Sequence, residues 1–277
     1  MNDNNLWKHV DPGNVSKNPY YKKSETTNNT KPPETKKSAI LGNSIYNLMR
    51  QTNTYAKGVD ALKTQLQNTP SSLHPQFTLP NGSNIYRPLT FKENIEARIT
   101  EYNREKNIDG SKRTDAQKLE LFNTWIDSCT GIAYKKKTKL FKINPVCNEL
   151  INIPEDFNSN FLSTDYSKFS GIELYSSTGT YNQNLSLNQV LTHPAWITAL
   201  ENDKTLLKEY AEITFYILKT KNNQDSGMGF FVRSGTSTDE LRALYVNIID
   251  YYSNADGGSN LGFNARFLLV APFAKKI

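Results

Sequence analysis

The sequence predicts an α+β fold: an N-terminal extended arm, a helical segment, and then a mixed helix/antiparallel-sheet domain. Three observations carry this expectation. Residues 1–37 hold almost no aliphatic side chains. Residues 38–131 place apolar residues at helical spacing behind two capping boxes. After Gly131 the pattern changes to β-branched and aromatic runs bounded by turn residues. These divide the chain into a basic arm (1–37), a mainly helical region (38–131), and an α+β domain (132–277) ending in a C-terminal β-hairpin.

The arm contains Pro12, Pro19, Pro32 and Pro33 with seven Asn and seven Lys. Its only large apolar residues are Leu6, Trp7, Val10, Val15, Tyr20 and Tyr21. Such a segment buries too little apolar area to offset its own ordering entropy. It is therefore expected to be ordered by partners. Leu6, Trp7, Val10, Tyr20 and Tyr21 are the candidate contact anchors.

Ile40, Leu41, Ile45, Leu48 and Met49 form one helical stripe, and Val59, Leu62 and Leu66 a second. Four prolines between residues 70 and 90, with Asn81-Gly82, predict extended chain or a loose hairpin. Thr90-Phe-Lys-Glu93 is a capping box, followed by Phe91, Ile95, Ile99 and Tyr102 on one face. Thr114-Asp-Ala-Gln117 repeats it, with Leu119, Phe122, Ile126 and Cys129 as the buried stripe and Gly131 as the stop. Asp109-Gly110 lies between these two helices as a turn.

Beyond Gly131, Ile132–Ile143 and Glu149–Ile153 read as strands joined across Asn144-Pro145, and Gly171–Ser176 as another. Leu187–Leu200 reads as helical, with Pro194 suited to a first turn. Asp203 caps a helix whose buried face is Leu206, Tyr210, Ile213 and Ile217. Gly229–Arg233 is a strand, and Leu244–Tyr252 and Phe263–Val270 form a hairpin around residues 254–260.

Composition narrows the function classes. The 277 residues are 37% hydrophobic and include 32 Asn. The longest apolar run, Phe267–Ala274, is far short of the ~20 residues a spanning helix needs. The N-terminus lacks the apolar region of a signal peptide. No membrane association is expected. Residues 1–150 carry 23 basic and 14 acidic residues, a net +9, whereas residues 151–277 carry 10 and 13, a net −3. Halves of opposite sign suit head-to-tail assembly, or contact of one half with a polyanion.

Catalytic patterns are sparse. Cys129 and Cys147 match no zinc spacing and read as buried thiols. His9, His74 and His193 form no HxxxH, HExxH or HxH. There is no phosphate-binding glycine loop and no nucleophile elbow. Glu155-Asp156 and Asp239-Glu240 read as cap or turn residues rather than an acid/base pair. No cofactor, metal or catalytic residue is expected. The sharpest charged feature is Lys135-Lys136-Lys137-Thr138-Lys139 with Lys142. Alternation places Lys135, Lys137 and Lys139 on one strand face. The first reading is an edge strand guarded by lysine. The second is contact with nucleic-acid phosphate, using the basic segment 112–142.

Several stretches together resemble virion proteins of crAss-like phages, which are short-tailed phages with AT-rich genomes. They are Phe122–Tyr134, Lys139–Ile143, Glu149–Ile153, His193-Pro-Ala-Trp196, Glu201–Tyr210, Gly227–Val232 and Glu240–Tyr245. Within that group the chain looks most like a tail or connector ring protein, sometimes described as a stabilisation protein. The resemblance covers roughly residues 120–153 and 187–277 and leaves out the arm. It implies a non-enzymatic homo-oligomeric ring in the virion tail or neck, assembled in the host cytoplasm. Its neighbours would be the portal and other tail rings, with transient contact to packaged DNA. A DNA-binding protein is the second hypothesis, and a hydrolase with dispersed carboxylates the third.

Overall fold

A computed structural model describes residues 39–41, 44–50, 54–67, 87–107, 110–176, 181–222, 227–247, 253–262 and 266–272. The fold is α+β. Strands β1 (Ala39–Leu41) and β2 (Ser44–Arg50) come first, then helices α1 (Tyr55–Gln67), α2 (Phe91–Asn103) and α3 (Asp115–Lys118). Next are β3 (Ile126–Tyr134), β4 (Leu140–Asn144), α4 (Asn148–Ile151), β5 (Leu162–Ser163), β6 (Ile172–Tyr175) and β7 (Tyr181–Leu185). Helices α5 (Leu187–Thr192), α6 (Pro194–Ala199) and α7 (Lys204–Asn222) precede β8 (Met228–Phe231), β9 (Glu240–Val246), β10 (Ser253–Asp256) and β11 (Arg266–Pro272).

The main sheet runs β6-β4-β3-β9-β10-β8-β7, with β5 also paired to β9. It is mixed: β10 lies parallel to β8, and the remaining pairs are antiparallel. The expected antiparallel pairing thus holds at every pair but β8–β10. The two end strands, β6 and β7, are adjacent in sequence, separated only by residues 176–180. Six flat inter-strand steps would hold them about 29 Å apart. The chain from Tyr175 to Tyr181 reaches at most about 22 Å. The sheet must therefore curl, bringing its two edges toward each other.

One face of the sheet supplies Ile132, Tyr134, Phe141, Ile143, Phe230 and Leu244 to a core closed by α2, α5, α6 and α7. Trp196 sits in that core with ring centroids 5.8 Å from Phe91, 5.6 Å from Phe230 and 6.1 Å from Tyr210. The opposite face supplies Ala133, Leu241 and Ala243 to a second core under α1, α4 and residues 153–169. Inside that second core, β3 and α4 meet at Gly131, where an added Cβ would lie 2.7 Å from the Cβ of Cys147.

Several expected elements form as read. The Thr90 and Thr114 capping boxes are both present. The Asp203 carboxylate accepts from the Leu206 N–H at the start of α7. Pro194 opens α6 at its first position, so the 187–200 helix divides in two at His193.

Other expectations are corrected. The stripe at 40–49 is two strands, β1 and β2, paired antiparallel with Leu41 opposite Ser44. Spacing alone does not separate a helix from a strand in apolar runs this short. The second capping box starts only a four-residue helix, and Cys129 lies in β3. Asp127, Ser128, Cys129, Thr130 and Gly131 are poor helix formers, and a strand buried at every position shows no alternation to read. Ile132–Ile143 is a hairpin rather than one strand, because the chain reverses between Tyr134 and Leu140. Residues 149–151 belong to α4. Among the described residues the expected C-terminal hairpin is replaced by other pairings: β11 pairs with β2, and β9 pairs with β3, β5 and β10. The helical region 38–131 thus also contains β1, β2 and the first part of β3.

Candidate functional site

The expected lysine face is a turn. Lys135 donates its N–H to the Leu140 carbonyl at 3.1 Å, and Lys137 adopts φ 55°. Left-handed backbone costs a lysine ~1 kcal/mol. Tertiary bonds hold it there. The Lys136 N–H reaches Asp239 Oδ1 at 2.8 Å, the Lys137 N–H reaches the Thr236 carbonyl at 2.8 Å, and the Gly235 N–H reaches the Thr138 carbonyl at 3.1 Å. Asp239 also accepts from the Tyr166 N–H through its other oxygen. The tip is a fixed knuckle exposing Lys135, Lys136, Lys137 and Lys139.

Lys142 has a different environment. Its ammonium donates to the carbonyls of Tyr166 at 2.9 Å and Phe169 at 3.1 Å. It also lies 4.7 Å from the Tyr166 ring centroid, and Lys135 approaches the same ring at 5.8 Å. The Tyr166 hydroxyl donates to Glu173 on β6 at 3.0 Å, and burial with that carboxylate pushes the phenol upward. Lys142 therefore anchors the 166–169 loop to the sheet.

The proposed basic segment 112–142 is split. Arg113 is buried, paired with Glu101 at 3.0 Å and donating to the Gln117 carbonyl at 2.6 Å. Lys118 pairs with Glu105 at 2.6 Å. These groups precede β3, whereas the knuckle follows it. Within that segment the exposed cations are therefore Lys112 before β3 and the four knuckle lysines after it.

Buried carboxylates are committed to the fold. Glu101 bonds Arg104 at 2.7 Å, and Glu240 bonds Arg242 at 3.0 Å. Asp127 accepts from Ser259 at 3.2 Å. Asp256 accepts from the Tyr245 hydroxyl at 2.8 Å and the Gly258 N–H at 2.6 Å. Asp239-Glu240, expected as a cap or turn, thus divides between the knuckle bond and a buried strand pair. Gly257 permits this packing, because a Cβ there would lie 2.5 Å from the Tyr134 hydroxyl oxygen.

Both cysteines are free and buried. Burial pushes the Cys129 thiol up to about 12 and raises Cys147 further. At neutral pH neither supplies the thiolate that nucleophilic chemistry requires. His193 stacks on Phe230 with ring centroids 6.0 Å apart, and burial lowers its basicity. Among the described residues, no group of three or more His, Cys, Asp or Glu could hold a metal ion. No helix among them is long and apolar enough to cross a membrane. Leu6, Trp7, Val10, Tyr20, Tyr21, His9 and His74 lie outside the described residues.

The sequence reading missed the exposed edge of the main sheet. β6 carries Ile172 and Tyr175, which are 50% and 64% exposed. Its alternation of apolar and polar residues was legible, but its edge position depends on the strand order. Comparisons with protein-family models, with curated proteins and with solved structures each find no match.

Proposed function

We propose that the chain is a non-enzymatic structural subunit of a virion tail or neck ring, joining copies of itself around a channel below the portal. The observation that carries this reading is the β6 edge of a curled sheet, which no further strand pairs with among the described residues and which bears two large exposed apolar side chains. Edge strands are ordinarily guarded against pairing, and an unguarded one suits a planned junction. The charge split between the halves, +9 against −3, supports head-to-tail contact, which closes into a ring when the rotation closes. The virion resemblance supplies the setting and the neighbours: the portal and other tail rings.

Native mass spectrometry of the full chain, alone and with purified portal and neck proteins, tests the proposal. One closed stoichiometry, or recruitment to a neighbouring ring, is expected. A monomer that stays monomeric with every component present overturns it.

The knuckle supports a second reading, contact with DNA in the channel, because its four exposed lysines sit on a fixed backbone. DNA binding should weaken steeply with salt. It should also fall when Lys135, Lys137 and Lys139 are changed together to Glu. Binding unaltered by that change at low salt removes this reading.

A further inference from the structure

We infer that the lysine knuckle and Tyr175 together form a site for single-stranded nucleic acid, with phosphates on the lysines and a base stacked on the Tyr175 ring. The inference rests on the DNA-contact reading and names the form of the strand. Sheet register builds the site. The Lys135 N–H bonds the Leu140 carbonyl at 3.1 Å, one step beyond the Tyr134–Phe141 pair, and Leu140 stands opposite Tyr175. Residues directly opposite each other share a face. Lys135, Leu140 and Tyr175 therefore form one row, whose cationic and aromatic ends lie two strand spacings, about 10 Å, apart. The Lys135 ammonium approaches the same Tyr166 ring as Lys142, which shares a face with Leu140 two residues away.

The surface around this row is cationic. Three segments are bonded into it. The Ser176 N–H reaches the Lys139 carbonyl, the Gly235 N–H reaches the Thr138 carbonyl, and Asp239 accepts from both Lys136 and Tyr166. Residues 135–142, 165–176 and 233–239 carry seven Lys or Arg against Asp165, Glu173 and Asp239, a net +4. Each of those carboxylates is already engaged. Asp239 holds two N–H groups, Glu173 accepts from the Tyr166 hydroxyl, and Asp165 pairs with Lys168 at 3.5 Å. A polyanion is the complement of such a surface.

The aromatic ring decides which polyanion. Tyr175 is 64% exposed, whereas Tyr134, Phe141, Tyr166 and Phe169 beside it are buried. An exposed aromatic among fixed lysines offers a π-face to an unpaired base, whatever the base, while the lysines follow the backbone. A duplex keeps its bases stacked on one another, and an acidic peptide gains from the lysines but not from the ring. Tyr175 lies three positions from Ile172 and so on the opposite sheet face. Stacking on that face leaves the β6 backbone edge to the contact between subunits.

Fluorescence anisotropy of the full chain at low salt, with labelled oligothymidylate, a short DNA duplex and polyglutamate as probes, tests the site. Oligothymidylate should bind most tightly. Tyr175→Ala should weaken it about tenfold or more and leave the duplex unchanged, and Tyr175→Trp should restore it. Ile172→Ala, on the other face, should alter neither, and thermal melting checks that every variant keeps the fold. Changing Lys135, Lys137 and Lys139 together to Glu should weaken both nucleic acids. Oligothymidylate binding that ignores Tyr175→Ala, or that falls equally with the duplex, overturns the stacking site but leaves the lysine contact standing. Polyglutamate bound as tightly as oligothymidylate overturns nucleic acid as the ligand. Binding that ignores the lysine change overturns the DNA-contact reading, and this inference with it.

Discussion

Changing Gly131 to Ala discriminates sharply between the strand that forms and the helix end that the apolar spacing suggests. An added Cβ would lie 2.7 Å from Cys147 Cβ, 2.8 Å from its Sγ and 3.1 Å from Leu241 Cδ1. The Sγ and Cδ1 atoms can swing aside. The Cys147 Cβ cannot, because its backbone N–H is bonded to the Cys129 carbonyl at 3.0 Å. β3 and α4 must separate by several tenths of an ångström to reach ordinary contact. Overpacking of this kind costs ~1–3 kcal/mol, and a backbone-fixed clash belongs in the upper half of that range. Urea unfolding of Gly131→Ala should therefore show a loss of ~2–3 kcal/mol. Cys147→Gly removes the opposing atoms, so the double variant should recover at least ~1 kcal/mol relative to additivity. At the end of a helix, Gly131→Ala would be blind to residue 147. Additivity within ~0.5 kcal/mol in the double-mutant cycle refutes the packing described here.

Other expectations follow from buried charge and turn geometry. Lys142→Met should cost ~1.5–3 kcal/mol in urea unfolding, since it removes a charged donor to the Tyr166 and Phe169 carbonyls; a change under 0.5 kcal/mol contradicts the anchoring role. Lys137→Gly should gain up to ~1 kcal/mol by relieving φ 55°, and a loss in the same assay would show that the side chain itself holds the turn. Burial pushes the enclosed Asp256 carboxyl upward, so the folded chain holds that proton more tightly than the unfolded chain. The resulting stabilisation is full below the ordinary carboxylate range and is lost as pH rises through the raised value. Asp256→Asn should thus gain stability relative to the parent as pH rises above the ordinary carboxylate range, and the opposite slope contradicts the assignment. Glu101→Gln should destabilise by ~3–5 kcal/mol, because Arg113 would remain buried beside a neutral partner; chemical denaturation showing a neutral effect argues against the pairing.

Local signals in the sequence located much of the architecture. Thr90 with Glu93, Asp203 before α7, and Pro194 at the start of α6 each mark a helix start through a bond or a missing donor that neighbouring residues decide. β3 was hidden because both of its faces are buried, which erases the alternation that marks a half-exposed strand. The lysine knuckle was hidden because Asp239 and Thr236, about a hundred residues away, hold a turn that no Gly or Asn announces. β11 was assigned to the wrong partner for a related reason: residues 263–270 read as a strand, but nothing local indicates that β2 receives it. The lysines could be nominated from composition, whereas their division into one anchoring ammonium and four exposed ones required the fold. The β6 edge was legible only as a strand, since an edge is a property of the sheet order.

The measurement closest to the central claim is imaging of the purified full chain, alone and after mixing with portal and neck proteins, with the copies in each particle counted from averaged views. The account predicts closed rings of one copy number in which neighbouring subunits meet along the β6 edge. Dispersed single subunits under both conditions, or irregular aggregates with no closed symmetry, would contradict it.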